Sequence, residues 1–151
     1  FDFKVLYEMK TKEGYILQSS GFTCGPATGA TVLKILGFNF TERELAIRGK
    51  TTTMTGMNEF LLKNILNEIF EEKNKNLKAV VKSYDAITVI DKKYPIIVTI
   101  NFNFFTGHWI VQLAEEEDNI KIFDPLNGVE FYSAKKMINI SKSHCIVFEE
   151  L

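Results

Sequence analysis

Hydrophobic positions along this chain change their period near its middle. In the first part they recur at helical spacing. Ala27, Ala30, Leu33 and Leu36 fall on one face after Cys24, which predicts a helix over 24–36. Pro26 is tolerated in its first turn, where a missing N–H leaves no bond unmade, and Gly37 stops it. Thr41-Glu42-Arg43-Glu44 is a capping-box pattern that opens a short helix through about Arg48. A turn-rich stretch over 49–56 leads into a third helix, in which Met57, Phe60, Leu61, Ile65 and Ile69 alternate with Asn64 and Glu68. Beyond Leu77 the pattern is that of strands: 77–81, 96–100 after Pro95, 108–113, 120–123, 129–132 and a closing 145–148. The acidic turn at 115–119 and the Pro125–Gly128 turn join three of these as antiparallel neighbours, with short helices predicted over 83–90 and 133–140. Helices first and sheet second is an α+β arrangement: an N-terminal helical half packed on an antiparallel β-sheet half, with a cleft between.

Composition narrows the function classes. The 151 residues carry no internal repeat, low-complexity tract or linker, so 1–151 reads as one domain able to bury its own core. Because it begins at Phe1, the expectation is a domain excised from a longer protein or a processed product. A net charge of -1, with both signs interspersed, gives no basic footprint for nucleic acid or an anionic membrane. The longest apolar runs, such as 95–100, are strand-length and far short of a membrane span. Two cysteines, Cys24 and Cys145, make neither a disulfide framework nor a metal-ligand spacing, and no cofactor or metal is implied.

The chemistry gathers at four positions. Cys24 stands where a loop turns into a helix, beside the positive end of the backbone dipole, and a thiolate rather than a thiol is the nucleophile. A free cysteine is more often buried and inert, but Gly25 and Pro26 expose the start of this helix. Of the two histidines, His108 opens a strand after Gly107 and is the candidate base; paired with a thiol, its imidazole takes the proton and holds an ion pair. His144, beside Cys145 in the closing strand, is expected to have no nearby carboxylate and reads as structural. Asp124 begins a turn, for which aspartate is favoured anyway, yet the hairpin also brings it toward His108 as the acid that orients the ring. Asn127 is the weaker substitute, since a charged acceptor stabilises an imidazolium better. Gln18, six positions before Cys24, is the candidate oxyanion donor together with the Cys24 backbone N–H. The aromatic stretch 102–105 is a lid, a subsite wall or simply core; Trp109 alternates away from His108 and reads as packing, and 115–118 as a solvated hairpin tip.

Gln18 through Cys24-Gly25-Pro26-Ala27, then Gly107-His108-Trp109, then Asp124-Pro125 with Gly128, resemble the bacteriocin-processing, or double-glycine, cysteine peptidases over nearly the whole chain. The resemblance implies a papain-like fold, with Gln18 as oxyanion residue, Cys24 as nucleophile, His108 as base and Asp124 as orienting acid. It implies cleavage of a leader peptide after paired glycines, and an ABC transporter or a membrane-tethered region as the flanking partner. The favoured location is then the cytoplasm or the cytoplasmic face of a membrane, with an extracytoplasmic tethered domain as the alternative. Transporter-linked members usually have aspartate before the cysteine; Thr23 here looks more like the stand-alone branch. Two other readings share these residues: a catalytically silent domain that holds a leader peptide or a transporter partner, and a papain-like transpeptidase of the phytochelatin synthase kind.

Overall fold

The computed structural model describes residues 9–21, 23–51, 57–84, 93–101 and 107–151. The stretch 102–105, most of the helix predicted over 83–90 and most of the turn-rich stretch after Gly49 lie outside the described residues. Three helices come first: α1 (Cys24–Ile35), α2 (Glu42–Arg48) and α3 (Glu59–Glu72). The strands β1 (Leu77–Ser83), β2 (Ile96–Asn101), β3 (Gly107–Glu116), β4 (Asn119–Asp124) and β5 (Gly128–Ser133) follow. Helix α4 (Ala134–Ile140) and strand β6 (Ser141–Glu150) close the chain.

Local sequence accounts for most boundaries. Gly37, at φ +99°, terminates α1 with Gly37 N–H donating to Lys34 O and Phe38 N–H to Leu33 O, a bond pair that needs a left-handed residue at this place. Both halves of the Thr41/Glu44 capping box form at α2, Asn58 caps α3 through the Leu61 N–H at 2.8 Å, and Ser133 caps α4 through the Lys136 N–H. Two boundaries depart from the sequence reading. β1 runs two residues past the predicted end at 81, to Ser83, because it stays paired with β6 through Ser83↔His144. The acidic turn is also tighter than 115–119: only Glu117 and Asp118 are unpaired, both at positive φ, the geometry of a two-residue hairpin loop.

The six strands form one antiparallel sheet in the order β1-β6-β2-β3-β4-β5. The last strand of the chain is therefore central, inserted between β1 and β2. Helices α1 to α3 cover one face, where Leu33, Leu62, Leu66, Ile69 and Phe70 meet Ile97, Trp109, Val111, Phe123 and Ile146. The opposite face is buried too: Ile96, Val98, Ile110, Ile122, Cys145 and Val147 pack with Met137 of α4. Burial on both faces is why 96–100 is apolar at every position but Thr99 instead of alternating.

Two polar side chains stitch backbone across these layers. Asn67 of α3 donates to Ala79 O at 3.0 Å and accepts Ala79 N–H at 2.7 Å, standing in for a further strand beside β1. Thr31 of α1, fully buried, accepts the Ile16 N–H at 2.9 Å and so holds the segment that leads to Gln18. Replacing Thr31 by Val keeps the shape and adds an apolar atom group, but strands the Ile16 N–H away from water. The orphaned donor outweighs the apolar gain, so Thr31→Val should lower stability by about 1–3 kcal/mol in urea unfolding; an unchanged or raised stability would show that Ile16 finds another acceptor.

Candidate active site

Asp124 is the last residue of β4, and the three-residue turn after it closes on Gly128 at φ +91°. Its carboxylate serves the turn and a neighbouring strand at once. Oδ1 accepts the Leu126 N–H at 2.8 Å and lies 2.7 Å from His108 Nε2. Oδ2 accepts from Asn127 Nδ2 at 3.2 Å. Asn127 thus acts on Asp124, and the acid beside the ring is Asp124 itself. His108, second residue of β3, is 3% exposed and Asp124 is 4% exposed.

Cys24 is the first residue of α1 and half-buried. Its thiol comes near enough to the His108 ring to favour the ring's protonated form. Burial works against an imidazolium here, but the hydrogen bonds of Asp124 and then Cys24, with the charges behind them, more than offset it and push His108 up to about 9. Burial likewise opposes the Asp124 carboxylate, yet His108 and the Leu126 N–H hold it below the usual carboxylate range. Sulfur, imidazole and carboxylate, far apart in sequence, are therefore in a line of contact.

Gln18 sits on an arm, residues 18–21, that follows the isolated bridge between Lys10 and Ile16. Its backbone N–H donates to Pro125 O at 2.8 Å, which ties the arm to the Asp124 turn. Its side-chain Nε2 donates to Ser20 O at 2.7 Å, whereas Oε1 is buried without a hydrogen-bond partner. A flipped amide would set two acceptors against each other, so this orientation is the one that the Ser20 carbonyl dictates. Thr23 is fully buried, and its hydroxyl closes the arm by accepting the Ser20 N–H and donating to Ser20 O, both at 3.1 Å. Ser19 and Glu42 join this arm to α2; nothing in the sequence marked either residue, since a glutamate in the first turn of a helix is ordinarily exposed.

Trp109 packs under α1 with Val111, as its alternation with His108 predicts. His144 is set apart from the site, but the expectation that it lacks a carboxylate is wrong: its Nδ1 lies 2.9 Å from Glu59 Oε1. That partner comes from the start of α3, 85 residues away in the chain. Among the described residues, no three His, Cys, Asp or Glu side chains group in a way that could hold a metal ion.

This helical layer, antiparallel sheet and helix-borne cysteine are the papain-like α+β arrangement of cysteine peptidase domains. Residues 12–150 match the Peptidase C39 family, and the chain belongs to that family. An uncharacterized protein of Methanothermobacter thermautotrophicus is 32% identical over 120 residues, which cover 77% of this chain and 74% of that protein. Among solved structures, a double glycine motif protease from an AMS/PCAT transporter, in complex with the leader peptide, superposes with a TM-score of 0.72 at 20% identity, covering 90% of each chain. The peptidase domain of Streptococcus ComA, a bifunctional ABC transporter of a quorum-sensing pathway, gives 0.72 at 21% identity, covering 89% of this chain and 96% of that one. These two show the likeness of fold.

The ionisation of His108 is directly measurable. Its ring should titrate near pH 9 by NMR, and Asp124→Asn should bring the midpoint down, because burial remains while the charged acceptor is gone. The ring's value in the fold lies above its ordinary 6.5, so the stability it contributes is complete below pH 6.5 and is lost as the pH rises through about 9. The gap between wild-type and Asp124→Asn melting temperatures should narrow over that interval. A midpoint unmoved by the substitution would place the cause elsewhere.

Proposed function

We propose that this chain is a cysteine peptidase that hydrolyses a peptide bond after a Gly-Gly pair in a leader peptide, using Cys24, His108, Asp124 and Gln18. The observation that carries this reading is the buried 2.7 Å His108–Asp124 contact, with Cys24 near enough to the same ring to favour its protonated form. A ring that keeps its proton up to about pH 9 is an imidazolium at neutral pH, a partner that can hold a thiolate in an ion pair. The thiolate attacks the scissile carbonyl carbon. Charge gathers on the carbonyl oxygen, where two donors can meet it: the Gln18 amide and the Cys24 N–H, which has no acceptor within the first turn of its helix. His108 passes its proton to the departing amine as the C–N bond breaks. A water, deprotonated by the now neutral ring, cleaves the thioester and restores sulfur and imidazolium.

Family membership and the double glycine motif protease among the structural neighbours support the Gly-Gly preference. They also support a leader peptide as substrate and a transporter or membrane-tethered region as the flanking partner. Thr23 in the position before the cysteine favours a stand-alone enzyme within the family.

Incubation with a Gly-Gly leader peptide, followed by mass spectrometry, tests the reading. Wild type should release a free leader and a mature peptide. Cys24→Ala and His108→Ala should each lower turnover by about four orders of magnitude or more, and Gln18→Ala by roughly a hundred- to a thousandfold. Tight binding without Cys24-dependent cleavage would replace the peptidase with a peptide-holding domain, and glutathione-derived products would indicate a transpeptidase.

A further inference from the structure

We propose that Glu42 is a positioning residue for Gln18: through Ser19, its buried carboxylate braces the arm 18–21 and so fixes the orientation of the Gln18 amide. This rests on the peptidase reading for its consequence in turnover, though not for the brace itself.

Three observations carry it. Glu42 is 3% exposed, and a carboxylate withdrawn from water is costly unless its oxygens are used. Both are used by one residue: Ser19 N–H donates to Oε2 at 2.8 Å, and the Ser19 hydroxyl donates to Oε1. Second, α2 does not need Glu42 for its own start. Thr41 and Glu44 form the capping box, while Leu45 and Ala46 seat the helix in the core. The carboxylate is thus a fixed post carried on an independently anchored element. Third, the Gln18 amide hangs on one bond. Nε2 donates to Ser20 O, Oε1 has no partner, and Ser19, the residue between Gln18 and that carbonyl, is the one that Glu42 grips. Displacing Ser19 would swing the amide without touching Cys24, His108 or Asp124. The other fastenings act on the neighbours of Ser19: Gln18 N–H donates to Pro125 O, and Thr23, at the start of α1, bonds Ser20. Glu42 is the one of these that reaches Ser19 itself, from α2.

Attack on a peptide bond and simple alkylation separate positioning from a general structural role. Alkylation of Cys24 by iodoacetamide needs the thiolate but passes through no oxyanion. Glu42→Gln retains the shape but offers Ser19 one acceptor oxygen instead of two. It should lower kcat on a Gly-Gly leader peptide by roughly ten- to a hundredfold with KM little changed, and leave the alkylation rate as it is in wild type. In a Gln18→Ala background the same substitution should cost nothing further, because its effect passes through that amide. Ser19→Ala removes the hydroxyl bond from an exposed residue and should act in the same direction, more weakly; it carries the test if Glu42→Gln does not fold. Alkylation falling in step with turnover, or an undiminished cost without Gln18, would overturn the proposal.

A wild-type protein with no Cys24-dependent cleavage would sink the peptidase reading instead. The brace is then decided by amide hydrogen exchange at Ser19. Faster exchange in Glu42→Gln than in wild type, at an unchanged melting temperature, supports it, and equal exchange overturns it.

Discussion

A histidine and an aspartate buried against each other sit in a low-dielectric place that neither would occupy alone. Burial opposes both charges, and the arrangement persists because each group supplies what the other lacks: Asp124 offers a charged acceptor to the ring, and the ring offers a charged donor to the carboxylate. The remaining lone pairs of Asp124 are taken up by its own turn, at the Leu126 N–H and the Asn127 amide. The carboxylate is therefore held from three directions before sulfur is considered, and the ring it fixes can present only its other nitrogen to the helix.

The pair makes demands on the rest of the fold. His108 must open β3 just where Asp124 ends β4, which the antiparallel β3–β4 register secures. The cysteine must reach the same point from the other layer. Trp109, Val111 and Phe123, alternating with the two site residues along their strands, pack beneath the helices, so the face that binds α1 and the strand ends that carry the site are set by one register. A slip of one residue would exchange them. The arm before α1 is drawn in by the Pro125 carbonyl, the Thr31 hydroxyl and the Glu42 carboxylate. Each of these comes from a different element, so the cleft is a joint between layers rather than a feature of either one.

Local rules made much of this legible. The capping box at Thr41, the stop at Gly37, the strand periods and the Asp-Pro-Leu-Asn-Gly turn act within a few residues, so neighbouring sequence is enough to read them. Where tertiary context competes, the reading slipped. β1 reads as ending at 81 but is carried on to Ser83 by its pairing with β6. Glu117 and Asp118 take positive φ without a glycine because the β3–β4 ladder extends to both sides of them. The Glu59 partner of His144 and the role of Asn127 as support for Asp124 depend on who stands opposite in space, which spacing along the chain does not encode.

By itself, the order of residues determined the element types, the α+β class and the short list Gln18, Cys24, His108 and Asp124, because these follow from periodicity and from the chemistry of single side chains. Only the tertiary structure decided that β6 lies between β1 and β2, that both faces of the sheet are covered, that Cys24 and Asp124 are both brought to the His108 ring, and that a first-turn glutamate is buried to hold Ser19. The physical reason is range: propensity and capping act over a turn or two, whereas the burial and partners of a charge are set by whichever distant element packs against it.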